Sequence, residues 1–349
     1  MNASTTMRAA RIVRHGGLEA LETAEAPVPV PRAGEVLVEV RAAALNNTDL
    51  WTREGAYGRP GEPTALSGWR GPIDFPRIQG ADAAGRIAAV GPGVDEGLAG
   101  RRVVVDPAIY DGDGPDANPV GLMGSERDGG YAEYVTAPAE RAHDVTESPL
   151  TDDQLAALPT AYGTALGMVE RARLRHGQTV LVSGASGGVG IAAVQIARAY
   201  GARVVAVSSG SKIGPVREAG AHEVVDRARD VAEQVRAAAP EGIDVALDVV
   251  AGDLVSEGLP LLREGGRWVV AGALGGYGVA FDVRRLYLHN AQLIGSAMHT
   301  PEHFALLMDL ARRAEIRPVI AAAFPLDRAA AAQEALARRE HVGKIVLHP

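Results

Sequence analysis

Cysteine is absent from all 349 residues. Disulfides, thiolate metal sites and a nucleophilic thiol are excluded with it. Lysine is almost absent too: Lys212 and Lys344 are the only two, in a chain rich in arginine. No uninterrupted apolar run approaches the roughly 18–20 residues that cross a bilayer, and the opening MNASTTMRAARIVRHGG lacks a secretory hydrophobic segment. The formal net charge is -8 with no basic block, which disfavours nucleic acid or an anionic membrane as partner. Aromatic residues are scarce at 4%, so the several that fall in the N-terminal loops stand out. These exclusions leave a cytoplasmic protein acting on a small molecule as the expectation.

What is present is a chain long enough for two domains, with an ordinary 47% of hydrophobic residues. The first ~145 residues carry short β-type runs, EVLVEVRAAAL (35–45), GRIAAVG (85–91) and RRVVVD (101–106), broken by Gly and Pro. Two loop-like stretches, 58–77 and 106–130, lie among them. From about Leu150 the pattern changes. Thr151 precedes acidic residues as a helix cap would. Apolar strands at 179–184, 203–208, 242–250, 267–273 and 291–297 then alternate with helical segments, which predicts a parallel sheet covered on both faces. The tail reads as a helix over 301–314 and a closing strand, KIVLHP.

The turn LVSGASGGVG (181–190) joins the first of these strands to a helix. Gly184, Gly187 and Gly190 allow a tight bend and close approach of a pyrophosphate to the backbone. The N–H groups of Ser186, Gly187, Gly188 and Val189 would face it, helped by the helix dipole. An NAD site places Asp or Glu after the second strand to bind the ribose 2′-OH. No acidic residue occurs from Ile191 to Arg217; instead VSSGSK supplies Ser208, Ser209 and Lys212, which suit a 2′-phosphate. Arg227 is a second candidate cation, with an ordinary solvated charge as the alternative. The expected cofactor is therefore NADP(H).

The stretches GASGGVGIAAVQIARAYGARVV (184–205), LPTAYGTAL (158–166), GGYAEYV (129–135) and GKIVL (343–347) resemble the medium-chain dehydrogenase/reductase superfamily, in its zinc-free, zeta-crystallin-like quinone oxidoreductase branch. The resemblance implies an α/β architecture: a GroES-like β-rich substrate domain over 1–148 and 299–349, and a Rossmann domain over 149–298, with the active site in the cleft between. It also implies a homodimer through the Rossmann sheet edge, for which AQLIGSA (291–297) is the candidate strand.

Zinc members carry a Cys two residues before a Thr-Asp pair, and a Gly-His-Glu motif. Here NNTD (46–49) and GADAAG (80–85) put Asn46 at the cysteine, Ala81 at the histidine and Asp82 at the glutamate. An amide and a methyl do not replace thiolate and imidazole, so no metal site is expected. His299 and His303, four apart, read as decoration of a helix start. Without a Lewis acid, reduction of a quinone or of the C=C bond of an α,β-unsaturated carbonyl is favoured, because the acceptor delocalises the charge itself. Zinc-independent alcohol oxidation and a non-catalytic NADPH-binding protein are the alternatives.

From the resemblance, Tyr57 is the candidate proton or hydrogen-bond donor, and Asn46 orients substrate or nicotinamide. Tyr57 equally suits a pocket wall, Asn46 a satisfier of buried backbone. Thr164, with Val250 and Ala273 at the ends of later strands, would meet the nicotinamide end. Trp51, Trp69 and Tyr110, with Phe75 near them, could line the substrate pocket.

Overall fold

The computed structural model describes residues 5–57 and 68–349. It divides into two compact units, Met1–Thr160 with Thr300–Pro349, and Ala161–His299. The first unit thus runs past the boundary expected at 148, because the helix Asp152–Ala156 packs on the strands Glu35–Ala44 and Ala84–Val90. That helix is capped as its sequence predicts: Thr151 Oγ1 accepts from the Gln154 N–H.

In the first unit the strand Glu35–Ala44 is central. It is mostly buried along its length, as its near-continuous apolar run requires. It pairs antiparallel with Ala84–Val90, with Tyr134–Pro138 and, at its far end, with Lys344–His348. Val36, Val38, Val40, Ile87, Val103, Tyr131 and Ile345 pack into one core; each such side chain contributes about 1.5–3 kcal/mol by leaving water. A separate three-stranded sheet joins Leu21–Pro27, Thr6–Ile12 and Arg77–Ile78.

The tail holds more than the helix and closing strand expected. Ile320–Pro325 is a strand parallel to Lys344–His348, and Ala329–Arg338 is a helix. The stretch 106–130, read as a loop, folds a two-stranded antiparallel ribbon, Ala108–Tyr110 with Pro119–Leu122. Of the other loop-like stretch, 58–77, residues 58–67 lie outside the described residues. Its described end docks on the ribbon's flank, where the Trp69 N–H donates to Ser125 Oγ and the Gly71 N–H to Glu126 Oε1.

The second unit is one parallel sheet of six strands in the order Glu223–Asp226, Arg203–Ser208, Thr179–Val182, Ile243–Asp248, Leu262–Val270, Gln292–Gly295. The chain winds outward through the first three strands and then returns to the other side of Thr179–Val182. That reversal leaves a crevice beyond the carboxyl ends of Thr179–Val182 and Ile243–Asp248, the place where open α/β sheets bind ligands.

Candidate active site

The glycine turn lies at that crevice. Gly184 has φ +55°, a left-handed conformation that favours glycine. A side chain at Gly190 would bring its first carbon to 2.2 Å from Gly184 O, so only hydrogen fits there. The helix Gly188–Ala199 starts after Gly187, and its first N–H groups, at Gly188 and Val189, lack intrahelical acceptors by geometry. Ser186 to Val189 stay accessible to solvent.

Opposite the turn stands a residue that sequence reasoning passed over. Asp248 is fully buried at the end of its strand, and among the described residues its hydrogen-bond donors are all neutral. Its Oδ1 accepts from Ser183 Oγ at 2.5 Å, Val250 N at 2.8 Å and Ala251 N at 3.1 Å, and its Oδ2 from Trp268 Nε1 at 2.9 Å. Ser183 Oγ in turn accepts from Val249 N at 3.0 Å. Neutral donors converging this way can hold a buried carboxylate. Asp248 thereby ties the two loops of the crevice together. Val250, expected to offer backbone groups to nicotinamide, has its N–H on Asp248 and its carbonyl on the Gly275 N–H at 2.7 Å. Ala273 follows Gly272 in the loop after the strand Leu262–Val270. Thr164 is buried, with its hydroxyl 3.8 Å from Met298 Sδ.

At the end of the strand Arg203–Ser208, Ser208 Oγ is buried without a hydrogen-bond partner among the described residues. A hydroxyl left so is costly unless a ligand completes it. Ser209 and Lys212 bound the short turn that follows, and Arg227, exposed, donates its backbone N–H to Ser208 O at 2.8 Å. Turn, orphaned hydroxyl and cations fit a phosphorylated dinucleotide.

The first unit holds the second cluster. The helix Asn47–Glu54 starts where Asp49 Oδ2 accepts the Asn46 N–H at 2.7 Å, and it ends on Gly55 at φ +69°. This short helix fixes Asn46, Thr48, Asp49 and Trp51, with Tyr57 just beyond. The Tyr57 hydroxyl donates to Thr48 Oγ1 at 2.8 Å, and its ring meets Trp51 edge-on at 5.7 Å. Asp49 Oδ2 also accepts from Tyr131 at 2.8 Å. Burial pushes the Asp49 carboxyl up to about 6, while the Tyr131 and Asn46 hydrogen bonds hold it down; Asp82 adds to the rise and Lys344 opposes it. Burial and the Asp49 carboxylate push the Tyr131 phenol well up. Behind them Gln79 donates to Asp49 O at 2.8 Å and accepts from Gln333 Nε2 at 2.8 Å, and Gln333 accepts from Arg53 Nε at 2.8 Å.

The Tyr110 hydroxyl donates to Asp106 Oδ2 at 2.8 Å under the Arg141 guanidinium, and Trp69 is fastened beside the ribbon through its N–H on Ser125 Oγ. Of the expected pocket residues, the structure brings together Trp51 with Tyr57 and Asn46. Phe75 stacks edge-on with His15. His299 is buried rather than decorative, since Gly163 packs directly against its ring.

Family models match the chain over residues 32–147 (alcohol dehydrogenase GroES-like domain) and 188–313 (zinc-binding dehydrogenase). The quinone oxidoreductase of Mus musculus is 33% identical over 98% of this chain and 97% of its own. The chain belongs to the medium-chain dehydrogenase/reductase superfamily, in its zeta-crystallin-like quinone oxidoreductase branch. Its two units are the GroES-like and Rossmann domains of that family, and it is an oxidoreductase using a nicotinamide cofactor. Among solved structures, a candidate alcohol dehydrogenase of Sinorhizobium meliloti is 45% identical at TM-score 0.94, covering 99% of this chain and 98% of that one. A 2-octenoyl-CoA carboxylase reductase solved with NADP and 2-octenoyl-CoA is 26% identical at TM-score 0.86, covering 99% and 88%.

The residues of this family member do not fit the zinc of its metal-dependent relatives. Ala81 is a buried methyl, Asn46 a neutral amide, and Asp82 already binds a cation, the Lys344 ammonium, at 3.3 Å. Among the described residues no group of three His, Cys, Asp or Glu could hold a metal. Sequence reasoning named neither Lys344 nor Asp248 as site residues. Scarcity of lysine was one available signal; an Asp ending an otherwise apolar strand was the other.

Proposed function

We propose that the chain is an NADPH-dependent reductase of quinones or of the C=C bond of α,β-unsaturated carbonyls, working without a metal. The observation that carries this reading is the lysine ammonium lying among Asn46 and Asp82, the side chains that take zinc-ligand places in the family. An acceptor at such a site has to spread the incoming charge over its own conjugated system.

The diphosphate would lie on Gly184, Ser186, Gly187, Gly188, Val189 and Gly190; Ser208, Ser209, Lys212 and Arg227 would hold the 2′-phosphate; Thr164, Val250 and Ala273 would flank the nicotinamide. Bound there, NADPH supplies the hydride. The chain's own residues then do the rest. Asn46 orients the acceptor, and Trp51 walls it. Tyr57 gives its hydroxyl proton to the reduced acceptor, while the Thr48 hydroxyl, turned to donate to the phenol oxygen, keeps the ring aimed and steadies the phenolate left behind. The electron pair of the broken π bond ends in the new C–H or O–H bond.

The name carried by the S. meliloti structure favours a second reading, alcohol oxidation with the same cofactor. Consumption of NADPH and NADH against a quinone, an enone and an enoyl thioester, beside reduction of NADP+ with an alcohol panel, separates the two. Turnover confined to alcohols defeats the first. Turnover with none, alongside tight NADPH binding, points to a non-catalytic NADPH-binding protein. Tyr57→Phe should lower the reduction rate and leave NADPH affinity intact; an unchanged rate makes Tyr57 a wall only.

The reading extends to a homodimer through the sheet edge. Leu293 on the edge strand is 42% exposed, and Tyr287 and Leu288, just before that strand in the chain, are 63% and 61% exposed. Light scattering should give twice the chain mass, falling to one chain mass for Leu293→Arg.

A further inference from the structure

Lys344 reaches the first-unit cluster from the closing strand, whose pairing of Val346 with Ala44 sets it beside the start of the Asn46 helix. The side chain is buried, and its ammonium donates to Leu45 O at 2.6 Å, Asn46 Oδ1 at 2.5 Å and Asp82 Oδ2 at 3.3 Å. Asp82 is completed by the Thr160 N–H at 2.8 Å on its other oxygen. An ammonium has donors and no acceptor, so the amide atom facing it has to be oxygen. The two-fold ambiguity of an asparagine is thus resolved by chemistry. Asn46 Nδ2 is turned the other way, where it makes only a long 3.4 Å contact with Ala44 O among the described residues.

We propose that Lys344 is a positioning residue of the reductase site: by holding Asn46 Oδ1 it makes Asn46 an N–H donor toward the carbonyl or quinone oxygen of the acceptor. This rests on the reduction reading. A flipped amide would present its own oxygen to an oxygen gaining negative charge, and would oppose the reaction. Asp82 neutralises the ammonium, so that the cluster orients the amide without placing a bare charge in the site.

The test uses the intact enzyme and a quinone and an enone as acceptors. Lys344→Met combined with Asp82→Asn removes the charge pair together, so neither partner is stranded. Its kcat should fall about 10-fold or more with NADPH affinity unchanged. Asn46→Ala should cost a similar factor, and adding it to the double variant should cost nothing further. A folded double variant with unchanged kcat, or penalties that multiply, would overturn the proposal. A second measurement does not need turnover. [15N]Lysine labelling gives two side-chain signals, from Lys212 and Lys344. Asn46→Ala should shift the Lys344 signal and leave that of Lys212; an unmoved Lys344 signal also overturns the proposal. If the wild-type enzyme reduces neither acceptor while the Lys344 signal still responds, the reduction reading fails and the orientation of Asn46 stands.

Discussion

Asp248 in the Rossmann unit and Asp82 in the GroES-like unit are both fully buried carboxylates beside strand ends, and they are kept in opposite ways. Asp248 gathers hydroxyl, indole and backbone donors, all neutral, from four residues of its own unit. Among the described residues, Asp82 has one backbone N–H and one lysine. A carboxylate held by neutral dipoles is a staple, because each donor is a separate piece of chain that its two oxygens bring into register. A carboxylate paired with an ammonium is half of a neutral unit, and what it fixes is the position of its partner's charge. The crevice of the Rossmann unit is built on the first device and the Asn46 cluster of the GroES-like unit on the second.

The contrast can be broken at several points, beginning with the largest effect. Asp248→Ala strands the Trp268 indole, the Ser183 hydroxyl and two backbone N–H groups, and should cost roughly 4–5 kcal/mol in chemical denaturation, with loss of cofactor binding. No second substitution at a cationic residue should restore it. Lys344→Met, by contrast, leaves Asp82 buried and unpaired at roughly 3–5 kcal/mol, and here adding Asp82→Asn should recover most of the loss. Equal rescue of both sites, or of neither, would erase the distinction.

Asp49 sharpens it further, since burial raises this carboxyl from 3.8 to about 6. The folded state therefore binds the proton more tightly than the unfolded chain. The stability from this group is complete below about pH 4 and is lost as pH rises to about 6, by at most about 3 kcal/mol. Asp49→Asn should flatten that part of the pH–stability curve relative to wild type; a variant with the same slope would remove Asp49 as its source. The smallest effect is at the crevice rim. Lys212→Glu should weaken NADPH about 10- to 100-fold in titrations and leave NADH nearly unchanged. Equal weakening of both would remove the 2′-phosphate from Lys212.

The Rossmann unit was legible because its signals are local. Val- and Ala-rich runs such as RVVAVS form the strand Arg203–Ser208, and the spacing of Gly184, Gly187 and Gly190 declares the turn at its own position. The alanine-rich strand Ile320–Pro325 was hidden, since AAA carries no period and helix propensity argues against it. Strands of three and four residues among Gly and Pro concealed the ribbon after Asp106. Of the candidate site in the GroES-like unit, Asn46 and Tyr57 could be named from one stretch. The pair that governs Asn46 joins residues 82 and 344, and only the sheet pairing of the closing strand brings them together. Tyr110 and Trp69 were chosen for rarity and loop position; their partners on and beside the ribbon, Asp106 and Ser125, could not be read from either.

Burial of Lys344 leaves Lys212 as the one lysine side chain with a face toward solvent. Apart from the α-amino group, an amine-selective label applied to the folded enzyme therefore reads one side-chain address, Lys212. Protection of that address by the adenosine 2′-phosphate alone, without nicotinamide, would map the outer end of the cofactor's bed independently of any chemistry at the other end.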